Sequence, residues 1–285
     1  MTSPGTTSGW WRAGEQFGSR LPMSIRHIAS VAPVEPSAVV RRRRRVVAAV
    51  SLLGTGLLGV SFSTQPDSKK FYGSTAAVAA TWTLGGLLSG PLHLGWIQSR
   101  DQRLRRPVIT PVATGVAAFG CFYGCALVAR HIPVLDRAIG NVLAFADEGS
   151  KPLVVATTLA NGLGEEIFFR GALYAALDAD RAAPISTAVY TLATATTRNP
   201  ALMLAAGAMG TLFSLQRRAT GGLQAPVLTH LTWSALMVYC LPPLFRRAHR
   251  PDCDLVPLAL GKGAASQRRP QPGRTAAGSA PVSDT

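Results

Sequence analysis

Two adjacent carboxylates and one guanidinium lie within a single apolar stretch of the sequence. Glu165, Glu166 and Arg170 are the charged residues of the run from Pro152 to Leu177. A spacing of four residues places Glu166 and Arg170 on one helix face, where carboxylate and guanidinium can pair. Glu165 lies about 100° around the helix from Glu166. Arg170 therefore cannot pair equally with both carboxylates, and one carboxylate remains available for another role.

The chemistry open to the second carboxylate is water activation or cation binding. A carboxylate in a low-dielectric pocket gains basicity through desolvation, which suits a general base or a metal ligand. The alternative is a purely structural ion pair that locks two helices. Glu165 and Glu166 with one arginine supply more negative charge than such a pair needs, at a depth where unpaired charges are costly. The surplus favours a functional site.

A second polar centre lies in the last apolar run of the chain. His230 and Ser234 are four residues apart and share a helix face. Imidazole is the commonest protein ligand for metals, although a single buried histidine is usually hydrogen-bonded and inert. Combined with Glu165 from another helix, His230 predicts a polar pocket for water, a metal or a peptide carbonyl.

The elements that position these residues are predicted to be membrane helices. Hydrophobic residues make up 47% of the chain and charged residues 15%, and the runs Val46 to Thr64 and Pro107 to Ala129 carry no charge. About 20 apolar residues span the hydrocarbon core of a bilayer. We predict an all-α fold, a polytopic integral membrane helical bundle with about seven transmembrane helices. The predicted helices cover about residues 46–64, 74–98, 108–130, 152–177, 184–197, 200–216 and 223–244. The segment Ile132 to Ala146 is predicted to be an interfacial amphipathic helix.

The net charge is +15, and many of the arginines that produce it lie next to the apolar runs. Arg41 to Arg45 precede the first predicted helix, and Arg100, Arg103, Arg105 and Arg106 follow the second, which ends near residue 98, as the positive-inside rule predicts for cytoplasmic flanks. The basic residues thus indicate the lipid bilayer as partner and no nucleic acid. Residues 1–40 and 250–285 are predicted to be disordered tails around a helical membrane domain at 41–249. Seven spans would place Arg246 and Arg247 outside, against that rule, so the number of spans and the side of the C-terminus stay open.

The polar motifs resemble those of a known family. Glu165-Glu166-Ile-Phe-Phe-Arg170-Gly171 resembles the EExxxR signature of the CPBP family, the CAAX-processing and bacteriocin-processing intramembrane proteases. His230 followed by Ser234 resembles the third motif of that family, a histidine with a small polar residue, usually asparagine, four positions on. The tract from Thr220 to His230 is also similar, and the resemblance covers about residues 150–245.

The resemblance implies an all-helical membrane core in which Glu165 activates water. It also implies that the motif histidines bind a metal or stabilise the oxyanion, and that Ser234 replaces an asparagine that helps to hold it. The implied catalytic residues are Glu165, Glu166, Arg170, His230 and Ser234. A divalent metal, with zinc as the candidate, would be bound by Glu165 and His230. The implied substrate is a membrane-associated peptide or protein.

The chain departs from the family at the second motif. That motif is a phenylalanine with a histidine four residues later, and the matching place carries Tyr190 and Thr194. No histidine occurs from residue 182 to residue 216, and threonine cannot replace imidazole as a metal ligand. His93 is expected to have a polar packing role within the second helix. Catalytic zinc sites usually have more nitrogen ligands than remain, so metal dependence stays open.

Three functions are compatible with these residues. The first is an intramembrane metal-dependent endopeptidase of the CPBP type. The second is a pseudoprotease that binds a membrane peptide in the same pocket without cutting it, and the third is a membrane transporter. The abundance of alanine, glycine and arginine is typical of a GC-rich bacterial genome and predicts the bacterial cytoplasmic membrane, where prenylated CAAX proteins are not the expected substrates.

Overall fold

The computed structural model of the chain describes residues 36–98 and 103–246, almost all of them helical. The first half contains α1 (Ser37–Ser61), α2 (Lys69–Leu88), the two-residue strands β1 (Ile97–Gln98) and β2 (Leu104–Arg105), α3 (Ile109–Ala129) and α4 (Pro133–Glu148). The second half contains α5 (Lys151–Glu165), a π-helical segment (Glu166–Leu173), α6 (Tyr174–Ala176), α7 (Ala179–Ala195), α8 (Pro200–Thr220), α9 (Gln224–Cys240) and α10 (Pro242–Arg246). The two strands pair antiparallel. The predicted all-α class is confirmed.

The first helix begins earlier than the predicted residue 46. It starts at Ser37, after Pro36, and runs through the five consecutive arginines. Arg43 is fully buried and its Nη2 donates to the Pro91 carbonyl at 3.3 Å, while Arg44 Nε donates to the Ala176 carbonyl at 3.1 Å. These contacts hold part of the run against the protein. Most of the predicted tails, 1–40 and 250–285, falls in residues 1–35 and 247–285, which lie outside the described residues, so their boundaries stay predictions.

The second helix ends at Leu88, well before the predicted residue 98. Gly90 takes a φ of 141° and Pro91 follows, so the chain leaves the helix there. His93 therefore lies in a loop, whereas the sequence predicted it within the second helix. This loop runs along the start of α9, because Leu223 and Gln224 donate their N–H groups to the carbonyls of His93 and Leu94, both at 2.9 Å.

The helix that carries the glutamates is continuous from Lys151 to Ala176, close to the predicted 152–177. Its central part, Glu166 to Leu173, is π-helical, which the helical spacing did not predict. A π-helix closes i→i+5 hydrogen bonds and turns less per residue than an α-helix, and such segments occur frequently at functional sites.

The remaining helices agree with the sequence prediction in position and differ at their ends. α7 starts at Ala179, ahead of the predicted 184, and contains Pro184. α8 extends beyond the predicted 216 to Thr220 and ends on Gly221, whose φ of 69° suits a glycine. Asn199 caps the start of α8 by accepting from the N–H groups of Ala201 and Leu202 at 3.0 and 3.1 Å.

The main core forms where α1, α2 and the π-helical segment meet. Trp82 is 1% exposed and packs on Phe168 and Phe169 at ring distances of 4.7 and 5.0 Å. Gly54 of α1 lies against the Trp82 ring, since a Cβ there would come within 2.4 Å of it. This packing fixes the helix that carries Glu165 and Glu166.

Three helical stretches of the described residues are long and apolar enough to cross a membrane. They are Ser37–Ser61, Ile109–Ala129 and Gln224–Phe245. Their surfaces expose large apolar side chains, among them Leu52, Ile109 and Val128, which is the pattern of a lipid-facing helix. The predicted total of about seven transmembrane helices is not confirmed and stays a prediction.

Candidate active site

Glu166 and Arg170 form the ion pair that their spacing predicts. Arg170 Nη1 lies 3.3 Å from Glu166 Oε1, and both side chains are completely buried. Arg170 Nη2 also donates to the Gly210 carbonyl of α8 at 3.2 Å. The pair thereby ties the π-helical segment to α8.

His230 reaches this pair from α9. Its Nδ1 lies 2.9 Å from Glu166 Oε1. Because a carboxylate paired with a guanidinium accepts hydrogen bonds, we assign the proton of this bond to His230 Nδ1. The imidazole stacks on Phe213 with ring centroids 4.6 Å apart. Gly162 of α5 admits it, because a Cβ at residue 162 would lie 3.4 Å from Nε2.

Glu165 faces the other nitrogen of the same imidazole. Its Oε2 lies 4.0 Å from His230 Nε2, and its side chain is 16% exposed, whereas that of Glu166 is fully buried. The structure therefore brings together the two residues that the sequence places in one pocket. Glu165 is the more exposed of the two carboxylates.

Tyr190 of α7 completes the surroundings of Glu165. Its hydroxyl donates to Glu165 Oε2 at 2.7 Å. The sequence interpretation noted Tyr190 as a departure from the family motif and missed it as a site residue. The available signal was a phenol hydroxyl at a position where the motif has a plain phenyl ring.

The hydrogen bonds described for the two glutamates do not involve Thr194 or Ser234. Thr194 Oγ1 donates to the Tyr190 carbonyl of its own helix at 2.9 Å. Ser234 is buried one turn beyond His230, and none of the hydrogen bonds described for Glu165, Glu166 and His230 involves it. The role expected of Ser234 in holding the oxyanion stays a prediction.

The donor set does not fit a catalytic zinc ion. No group of three or more His, Cys, Asp or Glu side chains that could hold a metal occurs within residues 36–98 and 103–246. Glu165 and His230 supply two donors, and Oε1 of Glu166 already contacts Arg170 and His230. Catalytic zinc sites have three protein ligands. Thr194, where the family motif has a histidine, offers only a hydroxyl that donates to its own helix.

The charged groups alternate in sign along one chain. Glu165, His230, Glu166 and Arg170 follow each other with separations of 4.0, 2.9 and 3.3 Å. Two carboxylates and one guanidinium therefore meet around one imidazole, whose two nitrogens each face one carboxylate.

Residues 148–236 match the family model described as Type II CAAX prenyl endopeptidase Rce1-like. This segment is similar to the CAAX protease family. The matched CAAX protease segment contains the Glu165-Glu166 motif, Tyr190, His230 and Ser234, and it covers less than half of the chain. No curated protein and no solved structure matches the chain. The family match and the apolar helices together indicate a membrane protein with a segment similar to CAAX proteases.

Proposed function

We propose that the protein is an intramembrane endopeptidase that hydrolyses a peptide bond of a membrane-associated peptide or protein with a water activated by Glu165. The observation that carries this proposal is the 4.0 Å separation between Glu165 Oε2 and His230 Nε2. A water about 2.8 Å from each atom would subtend about 90° between them, within the range of hydrogen-bond geometry. Such a water donates to the carboxylate and accepts from the imidazolium.

The chain's own residues supply each step of hydrolysis. Glu165 takes a proton from the water as the oxygen attacks the carbonyl carbon, forming the C–O bond. His230 Nε2–H donates to the oxygen that becomes negative, in the manner of an oxyanion hole. Glu165 then passes the proton to the leaving nitrogen as the C–N bond breaks. Glu166 and Arg170 hold the imidazole in place through Nδ1.

No step of this mechanism requires a metal. The sequence resemblance led us to expect a divalent metal at Glu165 and His230, and the two donors present do not support a catalytic zinc site. We propose instead that the proton on His230 provides the positive charge that stabilises the oxyanion.

The surroundings of the site support a membrane-associated substrate. His230 lies on the apolar stretch Gln224–Phe245, which packs against α3, and the exposed surface of α3 is apolar. We propose a multi-pass protein of the bacterial cytoplasmic membrane, with a substrate that reaches Glu165 from the bilayer or its surface.

One observation favours a second candidate function. Thr194 stands where the family motif has a histidine, as would follow if catalysis had been lost and peptide binding kept. In that case the protein is a pseudoprotease that holds a membrane peptide beside Glu165 without cutting it.

Cleavage by purified protein separates the two functions. The full chain in detergent is incubated with a panel of hydrophobic peptides, with and without a prenylated C-terminus, and products are identified by mass spectrometry. Wild type is expected to cleave a member of the panel, Glu165→Gln to lose at least 100-fold in rate, and the exposed control Glu148→Gln to match wild type. Cleavage that persists in Glu165→Gln would exclude the mechanism, and peptide binding without cleavage by wild type would establish the pseudoprotease.

A further inference from the structure

The phenol of Tyr190 is held rigidly beside the candidate base. Its ring lies 4.9 Å from the Phe169 ring, and the guanidinium carbon of Arg170 lies 4.5 Å above its centroid. Aromatic and cation–π contacts of this kind fix a ring in one orientation. The hydroxyl can therefore point in one direction only, toward Glu165 Oε2 at 2.7 Å.

The gap between Glu165 and His230 needs an explanation. A carboxylate and an imidazolium with no other restraint approach to about 2.8 Å and form a direct charge-assisted hydrogen bond. These two groups are 4.0 Å apart. A direct bond would leave no room between them for the water that hydrolysis consumes.

The hydrogen bond from Tyr190 accounts for this gap. It engages the same carboxylate oxygen, Oε2, that faces His230 Nε2. On the opposite side, His230 is restrained by its 2.9 Å bond to Glu166 and by its stacking on Phe213. Glu165 and His230 are each restrained by a contact with a third residue, so neither side chain can move closer to the other.

We propose that Tyr190 is a positioning residue that holds Glu165 away from His230 and so keeps the site of the attacking water open. This inference rests on the proposed peptidase function and adds to it a residue that the family motif does not contain. The motif has phenylalanine at this place, with a histidine one turn later. This chain carries a hydroxyl on the ring and, at Thr194, a group whose hydrogen bond goes to its own helix.

Removal of one hydroxyl tests the inference. Tyr190→Phe keeps the ring and deletes the donor, and Tyr239→Phe makes the same change at a side chain that is 60% exposed. Misplacement of a reacting group by about 1 Å costs roughly 100-fold in rate. We therefore expect Tyr190→Phe to lower kcat by about 100-fold with KM within twofold of wild type, and Tyr239→Phe to change neither.

The melting temperature separates positioning from a structural role. Tyr190→Phe should melt at or above the temperature of wild type, because a direct bond between Glu165 and His230 replaces the lost one. Unchanged kcat in Tyr190→Phe would overturn the inference while leaving the peptidase function intact. A fall in melting temperature that parallels the loss of kcat would overturn it as well, by showing that the hydroxyl only holds the fold. A wild-type protein that cleaves no peptide overturns the proposed function and this inference with it.

Discussion

Replacement of Arg170 by methionine is the strongest test of the buried charge chain. Arg170 is fully buried, pairs with Glu166 at 3.3 Å and donates to the Gly210 carbonyl at 3.2 Å. Methionine keeps much of the volume and removes the charge, which leaves Glu166 ionised in a buried site. Breaking a buried pair in this way costs about 3–5 kcal/mol of unfolding free energy. For a protein of this size that corresponds to a fall of roughly 6–20 °C in melting temperature.

The double variant Glu166→Gln/Arg170→Met shows whether charge is the cause. With Glu166 neutralised, no buried charge is left unpaired, so the double variant should regain about 2 kcal/mol or more relative to the sum of the single changes. Unfolding in detergent micelles, followed by tryptophan fluorescence, measures each free energy. Arg181→Met, at an exposed residue of α7, is the matched control and should lie within about 0.5 kcal/mol of wild type. The reasoning is refuted if Arg170→Met costs less than about 1 kcal/mol or if the two changes simply add.

Three further predictions concern the metal and the helix contacts. Chelators such as EDTA should leave the cleavage rate within twofold and metal analysis should find well under one ion per chain; activity lost on chelation and restored by zinc would contradict the proposed chemistry. Gly164→Ala should lower the free energy of unfolding by about 1–3 kcal/mol, because its Cβ would lie 2.9 Å from the Ala79 carbonyl oxygen. The control Gly120→Ala adds a Cβ that meets nothing within 4 Å and should not lower it. Equal melting temperatures of the two variants would argue against this close α2–α5 contact. Asn199→Ala should lower the free energy of chemical unfolding by about 2 kcal/mol, because it removes the cap of α8 and a 2.7 Å hydrogen bond to α4. The same change at the exposed Asn141 should lower it little. Similar losses in both variants would refute the capping role.

The parts of the site that follow from the sequence are those set by spacing and by the cost of burying charge. A separation of four residues is enough to pair Glu166 with Arg170. Few polar groups occur in the apolar runs, so Glu165 and His230 were expected to share one pocket. The sequence did not reveal that His230 bonds Glu166 through Nδ1 and faces Glu165 through Nε2, because that choice depends on the π-helical turn between residues 166 and 173.

Helix ends were less predictable where distant contacts decide them. The arginine run before residue 46 has the composition of a solvated flank, yet Arg43 and Arg44 bind carbonyls 48 and 132 residues away in the chain. The end of α2 was signalled by Gly90 and Pro91, but apolar residues continue past them and hydropathy alone extended the helix. Local pattern therefore predicted the helices themselves better than their limits.

The order of the charged residues along the chain also has a consequence for synthesis. Arg170 follows Glu166 within the same helix, so that carboxylate acquires a partner as soon as the helix forms. His230 comes 64 residues after Glu166, which at about 5–20 residues per second means roughly 3–13 s of translation. We expect Glu165 to stay in contact with water or with the insertion machinery during that interval. The helix that carries the glutamates is therefore expected to reach its final place only after α9 has been synthesised.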